Sequence, residues 1–387
     1  MSLMSIRQKL LNGLSRLNIL FLPNHIKKKN GRKWIFISYL TEPFKRRGDK
    51  SYFHTHQNFQ ETLLIEELLD ELGMSQIFHH YTQPVNFLRK KFDVVFGLEP
   101  NFLLMCKKNP QALKIYYATG AYYKHQNRMI MSRTDYFRKK HGIDYPYVRL
   151  VSDHESAEAA DYIFQIGSKH TIETYPEHLR KKILIIDQTC HEFKAIDLVE
   201  KSKKSSKNDF IWFGSTGSIL KGLDLVIEYF LNHPDLNLHI VGPVEEEFIR
   251  LYRDKMNLSK NFFTYGFLNV DSDEFRDVAN KCGFLIYPSA SEGCPGSVLN
   301  LQKLGVIPIV SKWSSSDDID QLGFMLEDLT VKSIGAGVAW AQSLDEEKMT
   351  LLMRKNHTYV IEKHNKARFK SQFKKTLESL INNKGQI

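Results

Sequence analysis

Residues 284–305 read FLIYPSASEGCPGSVLNLQKLG, and the order of their parts predicts a strand, a turn and a helix of an open α/β sheet. The run Phe284 to Tyr287 is apolar and short, as a buried strand is. Ser289 to Pro295 forms a turn with one acid, Glu292, and a helix follows from Gly296-Ser297-Val298. This order aims free backbone N–H groups and a carboxylate at one small volume. A helix N-terminus, with unpaired donors and partial positive charge, suits a phosphate. A carboxylate only accepts hydrogen bonds, so it suits sugar hydroxyls. Phosphate and sugar together point to a sugar nucleotide.

The same alternation runs through the second half: strand 209–213, helix 220–232, strand 236–241, helix 245–256, strand 261–265, helix 273–281 and strand 307–310. The first half shows strands at 34–37, 92–96, 112–118, 160–167 and 183–186, with an amphipathic helix over 58–72 closed by Gly73. Short apolar strands between helices predict parallel sheets covered on both faces. The stretch 194–208, rich in Lys and Ser around 201–207, separates the two series and reads as an interdomain linker. The 387 residues exceed one ordinary core. The predicted fold class is therefore α/β, with two Rossmann-like doubly wound domains facing across a cleft. Residues 1–30 form a basic N-terminal segment, 31–200 the first domain, 201–365 the second, and 366–387 a helix returning to the first.

The formal net charge is +10, and no acidic residue precedes Glu42. Ile6, Leu10, Leu14 and Leu17 recur at helical spacing, with Arg7, Lys9 and Arg16 largely off that stripe. Two readings stand for residues 5–33: in-plane attachment to an anionic membrane surface, or a helix packed on its own domain with solvated lysines. The apolar run 17–22 is far too short to span a bilayer. Four widely spaced cysteines, with neither CxxC pairs nor zinc-finger spacing, read as reduced cytosolic thiols, which places the chain in the cytoplasm, peripheral to the inner membrane face on the first reading. No nucleic-acid reader motif accompanies the basic residues.

A second chemical motif, IWFGSTGSILKGLDLVIEYF, opens the second domain at residue 211. Gly214, Ser215, Thr216 and Gly217 form a turn whose N–H groups can approach phosphate oxygens, and Lys221, read as starting the next helix, adds a compact positive charge. The loop has neither GxxxxGK[ST] nor GxGxxG order.

GSTGSILKG, HIVGP, FTYGFL and YPSASEGCPGSVLNLQKLGVIPIVS in succession resemble the donor-binding domain of GT-B retaining glycosyltransferases, family 4 (group 1) in particular. The resemblance is clear from about Asp209 to Val310 and fainter in the first domain, where QNFQETLLIEELLDELG and YYATGAYYKHQN carry it. It implies that Lys221 contacts the diphosphate and Glu292 the transferred sugar. The turn and helix start at Gly293, Cys294, Pro295, Gly296, Ser297 and Val298 would complete the donor site, and Gly266, Phe267 and Leu268 would border the nucleobase. Two positions depart from the family pattern. Ser215 stands where the family has an arginine, and Asn300 where it has a second glutamate on the ribose. The resemblance implies a metal-independent hexosyltransferase, with a UDP- or GDP-linked sugar as donor substrate, no cofactor, and a glycan or lipid-linked glycan acceptor. It further implies retention and a role in surface polysaccharide synthesis. The competing classes are a GT-B epimerase or phosphorylase, and a non-catalytic donor-binding subunit.

In the first domain Lys45, Arg46 and Arg47 crowd a loop read as contacting an acidic acceptor or completing the diphosphate clamp. Thr119 and Gly120 end a strand at the level of a ligand. By resemblance a nearby histidine lies beside the donor sugar, and His125 is the candidate, with His54 and His56 as alternatives. Asp271-Ser272-Asp273 reads as an aspartate helix cap rather than a metal site.

Overall fold

The computed structural model describes residues 25–29, 33–85, 88–192 and 196–384. The helical stripe Ile6 to Leu17 lies outside them. Two sheets organise the chain. The first contains β1 (His25–Lys27), β2 (Trp34–Tyr39), β3 (Ser75–His80), β4 (Val94–Gly97), β5 (Leu113–Ala118), β6 (Tyr162–Ile166) and β7 (Ile183–Ile186), in the order β1-β3-β2-β4-β5-β6-β7. Only β1 runs antiparallel, against β3. The second contains β8 (Ser206–Phe213), β9 (Asn237–Val241), β10 (Phe262–Gly266), β11 (Cys282–Tyr287), β12 (Ile307–Ser311) and β13 (Phe324–Leu326), all parallel, in the order β10-β9-β8-β11-β12-β13. Both sheets are doubly wound. Strand order reverses between β2 and β4 in the first and between β8 and β11 in the second, and ligand crevices open at the strand C-terminal ends of such points.

β3 and β1 are absent from the sequence reading. SQIFHH looks too polar for a core strand, yet five of its six residues are buried. Gln76 Nε2 donates to Glu66 O at 3.2 Å and His79 Nε2 lies 3.1 Å from Gln83 O, so each side chain is anchored inside the fold by a backbone carbonyl. On and beside β1, Lys27 and Lys29 reach Asp70 at 3.2 and 2.8 Å. These two lysines, turned to a membrane in one of the two sequence readings and left to solvent in the other, are paired within the fold.

The Lys/Ser stretch is not a free linker. Leu198–Lys204 is helical, and Lys201 is 1% exposed, its ammonium donating to the carbonyls of Ala279, Asn280 (3.3 Å) and Cys282 (2.6 Å). The Asp273–Lys281 helix leaves such carbonyls unpaired at its C-terminal end, and a buried cation suits them. Its other end is capped by Ser272, whose hydroxyl accepts from Phe275 N–H at 3.1 Å, not by an aspartate. Asp271 instead pairs with His54 at 3.4 Å and Arg276 at 3.5 Å.

Each domain lends the other a helix. Tyr123–His141 leaves the first sheet and packs on the second domain, with Phe137 inside the core formed by β8 to β12. Its Arg133 donates from Nη2 to both oxygens of the buried Asp224, at 2.8 and 2.6 Å. In return Lys366–Lys384 lies on the first domain and buries Phe369, Phe373 and Leu377 among Ile35, Ile65 and Phe96. Each such side chain contributes about 2–3 kcal/mol by leaving water. Lys370 and Lys374 pair with Glu71 on the helix beneath. Among the described residues no helix is long and apolar enough to cross a membrane.

The Arg133–Asp224 pair is nearly closed to solvent, so removing one partner strands a charge. Arg133→Met is expected to lower unfolding stability by about 3–5 kcal/mol. Arg133→Met combined with Asp224→Leu should recover most of that loss in urea unfolding.

Candidate active site

A cavity of about 430 Å³ opens between the domains, where β2, β6, β8, β9, β10 and β11 all end. Its second-domain wall is built around Glu292. Tyr287 Oη donates to Glu292 Oε1 at 2.9 Å, Ser289 Oγ at 3.1 Å, and Lys221 Nζ lies 3.6 Å away. All three crowd Oε1; Oε2 has no partner among the described residues, so it can accept from a ligand. The turn is fixed from behind: Ala290 N–H donates to Leu220 O at 2.8 Å, Ser314 Oγ to Tyr287 O at 2.9 Å, and Ser311 Oγ to Ser289 O.

Lys221 is in a turn, not in the helix. The helix begins at Leu223, after Gly222 at φ +71°. Lys221 is buried, and burial pulls its ammonium below the usual lysine range, Arg149 adding to the effect and Glu292 opposing it. Its Nζ donates to Thr216 O at 3.3 Å, and Arg149 Nη1 donates to the same carbonyl at 3.2 Å. Arg149 belongs to the first domain and lines the cavity. It carries φ +72°, an uncommon conformation for a side-chain-bearing residue. The missing loop arginine thus has a cationic counterpart from across the cleft. Sequence reasoning did not find Arg149, because its signal is a backbone conformation.

Gly214, Ser215, Phe267, Leu268, Cys294, Pro295, Gly296, Ser297 and Asn300 line the cavity with Lys221 and Glu292. No side chain caps the Gly296–Lys303 helix, so its first N–H groups remain available. Thr216, Gly217, Gly266, Gly293 and Val298 are not part of this lining. The Gly217 amide, expected to meet phosphate, is occupied. It donates to Glu245, as do the Ser218 amide at 3.2 Å and the Ser218 hydroxyl. Asn300 Oδ1 accepts from Cys190 Sγ at 3.2 Å.

Thr119 reaches the cavity, whereas Gly120 sits beside it with its carbonyl accepting from Gln165 Nε2 at 2.8 Å. His125 does not line it. Its ring is buried against Trp313, with Nε2 3.4 Å from Ala290 O, because the Tyr123–His141 helix turns it toward the back of the Glu292 loop. His54, His56 and His191 do line the cavity. Lys45, Arg46 and Arg47 are on the surface: Arg47 pairs with Glu66 at 2.5 Å and Arg46 with Asp49 at 3.4 Å.

The first-domain wall includes Tyr39, Asn58, Glu61 and Gln188, none of them predicted. Glu61 is buried, and its Oε1 accepts from Thr189 N–H at 2.8 Å and Thr189 Oγ1 at 3.0 Å. Burial outweighs those bonds and pushes its carboxyl from 4.5 to about 7.

Residues 195–324 match the family model described as Glycosyl transferases group 1. Solved structures align over nearly the whole chain. Anabaena HepE with UDP and glucose gives a TM-score of 0.57 at 10% identity, covering 90% of this chain and all of that one. Sucrose-phosphate synthase from Thermosynechococcus elongatus gives 0.60 at 11%, covering 91% and 100%. A glycosyltransferase from Rickettsia africae gives 0.54 at 12%, covering 92% and 99%. The fold is GT-B. No curated protein matches the chain. The group 1 match spans β8 to β12 and so takes in the Lys221 and Glu292 wall of the GT-B cleft, but not the Glu61 wall.

The raised Glu61 carboxyl makes stability depend on pH. Between 4.5 and about 7 the folded protein holds a proton that the unfolded chain releases. Stability therefore falls as pH rises through that window, by up to about 3 kcal/mol. Glu61→Gln removes the penalty, so its stability relative to wild type should climb from about pH 5 to about pH 8 in urea unfolding.

Proposed function

We propose that the protein transfers a hexosyl unit from a nucleoside diphosphate sugar to a hydroxyl of a glycan or lipid-linked glycan, with retention, in the synthesis of a surface polysaccharide. The observation that carries this reading is the convergence of Lys221, Arg149, the uncapped helix start at Gly296 and the open Glu292 Oε2 on one cavity. Two cations and helix-terminal amides suit a diphosphate; a carboxylate beside them suits the hydroxyls of the attached sugar. The group 1 match over this same half, and the UDP, glucose and UDP-glucose bound in the HepE structures, support a nucleotide-sugar donor.

In this reading Lys221 and Arg149 stabilise the charge that grows on the leaving diphosphate as the glycosidic bond breaks. Such fixed donors are most effective in a site shielded from water. Buried beside Glu292, Lys221 gains a stronger partner when the diphosphate enters. Glu292 orients the sugar through its hydroxyls and is not a nucleophile. The leaving phosphate oxygen accepts the proton of the attacking hydroxyl on the face from which it departs. No paired carboxylates are then required.

A screen of UDP- and GDP-linked sugars is expected to show nucleoside diphosphate release from at least one donor. Glu292→Ala and Lys221→Ala should each reduce that release by about a hundred-fold or more. Arg149→Gly should lower it by about ten-fold or more while the thermal midpoint holds or rises, since glycine takes the left-handed backbone without strain. Absence of release from every donor, together with Glu292→Ala leaving donor binding intact, would sink the proposal.

A further inference from the structure

The two walls of the cavity differ in kind. Its arginine and lysine, Arg149 and Lys221, meet at Thr216 O on the donor side. The opposite wall, from the end of β2, the Gln57–Glu71 helix and the segment after β7, has neither lysine nor arginine in its lining among the described residues. Three of its buried polar atoms, Tyr39 Oη, Asn58 Oδ1 and Gln188 Oε1, have no hydrogen-bond partner among the described residues. Tyr39 is 1% exposed and Gln188 is 8% exposed, so water does little to satisfy them. Native folds rarely leave such groups unpaired, and three around one cavity mark a surface that a ligand completes. Glu61 stands among them with Oε1 held by Thr189 and Oε2 met, among the described residues, by Tyr117 Oη alone at 3.4 Å.

The chemistry of this wall selects its ligand. Two amide oxygens accept, the tyrosine hydroxyl donates and accepts, and the carboxyl oxygen exchanges a hydrogen bond with a hydroxyl. A phosphate or carboxylate would meet two amide oxygens there, with the nearest cations set to the side, Arg149 by His56 and Lys303 and Lys366 by His191. Burial keeps His56 and His191 below the usual histidine range, so neither supplies a charge at neutral pH. A neutral polyol satisfies every group.

We propose that Tyr39, Glu61 and Gln188 form the acceptor subsite, and that it takes a neutral glycosyl unit through its hydroxyls rather than an acidic sugar or a sugar phosphate. This inference rests on the transferase reading and names the acceptor class for it. It also relocates acceptor binding from the Lys45–Arg47 loop to the cleft. Tyr39, Glu61 and Gln188 are positioning residues: they fix the acceptor hydroxyl against the anomeric carbon held by the donor wall.

Two measurements on the full chain keep the two readings apart. In saturation-transfer NMR, neutral methyl glycosides of glucose, galactose and mannose are offered beside glucuronic acid and glucose 6-phosphate, with no donor present. At least one neutral glycoside is expected to bind, and its signal to fall about five-fold or more in both Tyr39→Phe and Glu61→Gln. Tyr39→Phe removes a hydroxyl with no internal partner, so the fold is retained. Absence of neutral binding, preference for the acidic probes, or binding unchanged in both variants overturns the proposal, whether or not the protein turns over a donor. With an active donor, the same variants should raise the acceptor KM about ten-fold or more while donor KM and acceptor-free hydrolysis stay within about two-fold. Equal losses in hydrolysis would assign the wall to the donor sugar and overturn the acceptor assignment.

Discussion

The absence of a side chain at Gly293 sets how closely the domains approach. A Cβ there would stand 2.5 Å from Ile166 O and 2.8 Å from Thr119 O, both backbone atoms of the first domain. Backbone cannot swing aside as a lysine can. The Glu292 turn therefore seats directly on the ends of β5 and β6, and the cavity takes its width from that contact. Gly217 repeats the arrangement on a smaller scale. Its Cβ would meet Arg149 Cδ at 2.8 Å, so the glycine lets the arginine pass over the loop to Thr216 O.

The helix exchange follows from this seating. Close backbone contact is stabilising only if the surrounding surfaces are held in register, and two lent helices do that from opposite sides. Tyr123–His141 clamps the first domain onto the second through Arg133–Asp224, and its Ile130 packs with Leu220 and Ala290, behind the two loops that carry Lys221 and Glu292. His125, on the same helix, meets Ala290 O. A histidine expected to touch sugar thus positions the loop that would touch it. Lys366–Lys384 closes the opposite side over Phe96 and Ile35.

The second-domain wall of the cavity was legible in sequence because the parts of each of its loops lie close together along the chain. A strand, a glycine-rich turn and a helix N-terminus sit within one stretch, and their order constrains the backbone enough to place Lys221 and Glu292. The first-domain wall has no such local signature. Tyr39 ends a strand, Glu61 lies in a helix that reads as amphipathic, and Gln188 follows a strand; each is ordinary where it stands, and only the fold makes them neighbours. Polarity misled at β3 and in the Lys/Ser stretch for a related reason. Sequence patterns equate polar with exposed, whereas Gln76 and Lys201 are buried and donate to backbone carbonyls inside the fold. The Gly217 amide was misassigned because its partner, Glu245, arrives from a different βα turn.

The division of charge across the cavity has a mechanistic consequence. In the proposed reaction, negative charge develops on the donor side alone, so cations there stabilise the transition state more than the ground state. A cation on the opposite wall would attract the diphosphate into the acceptor's place. Neutral polar groups left unpaired, as Tyr39 Oη and Gln188 Oε1 are, bind hydroxyls without competing for phosphate. Their cost in the empty protein is then part of how the two ligands are kept in their own halves of one cleft.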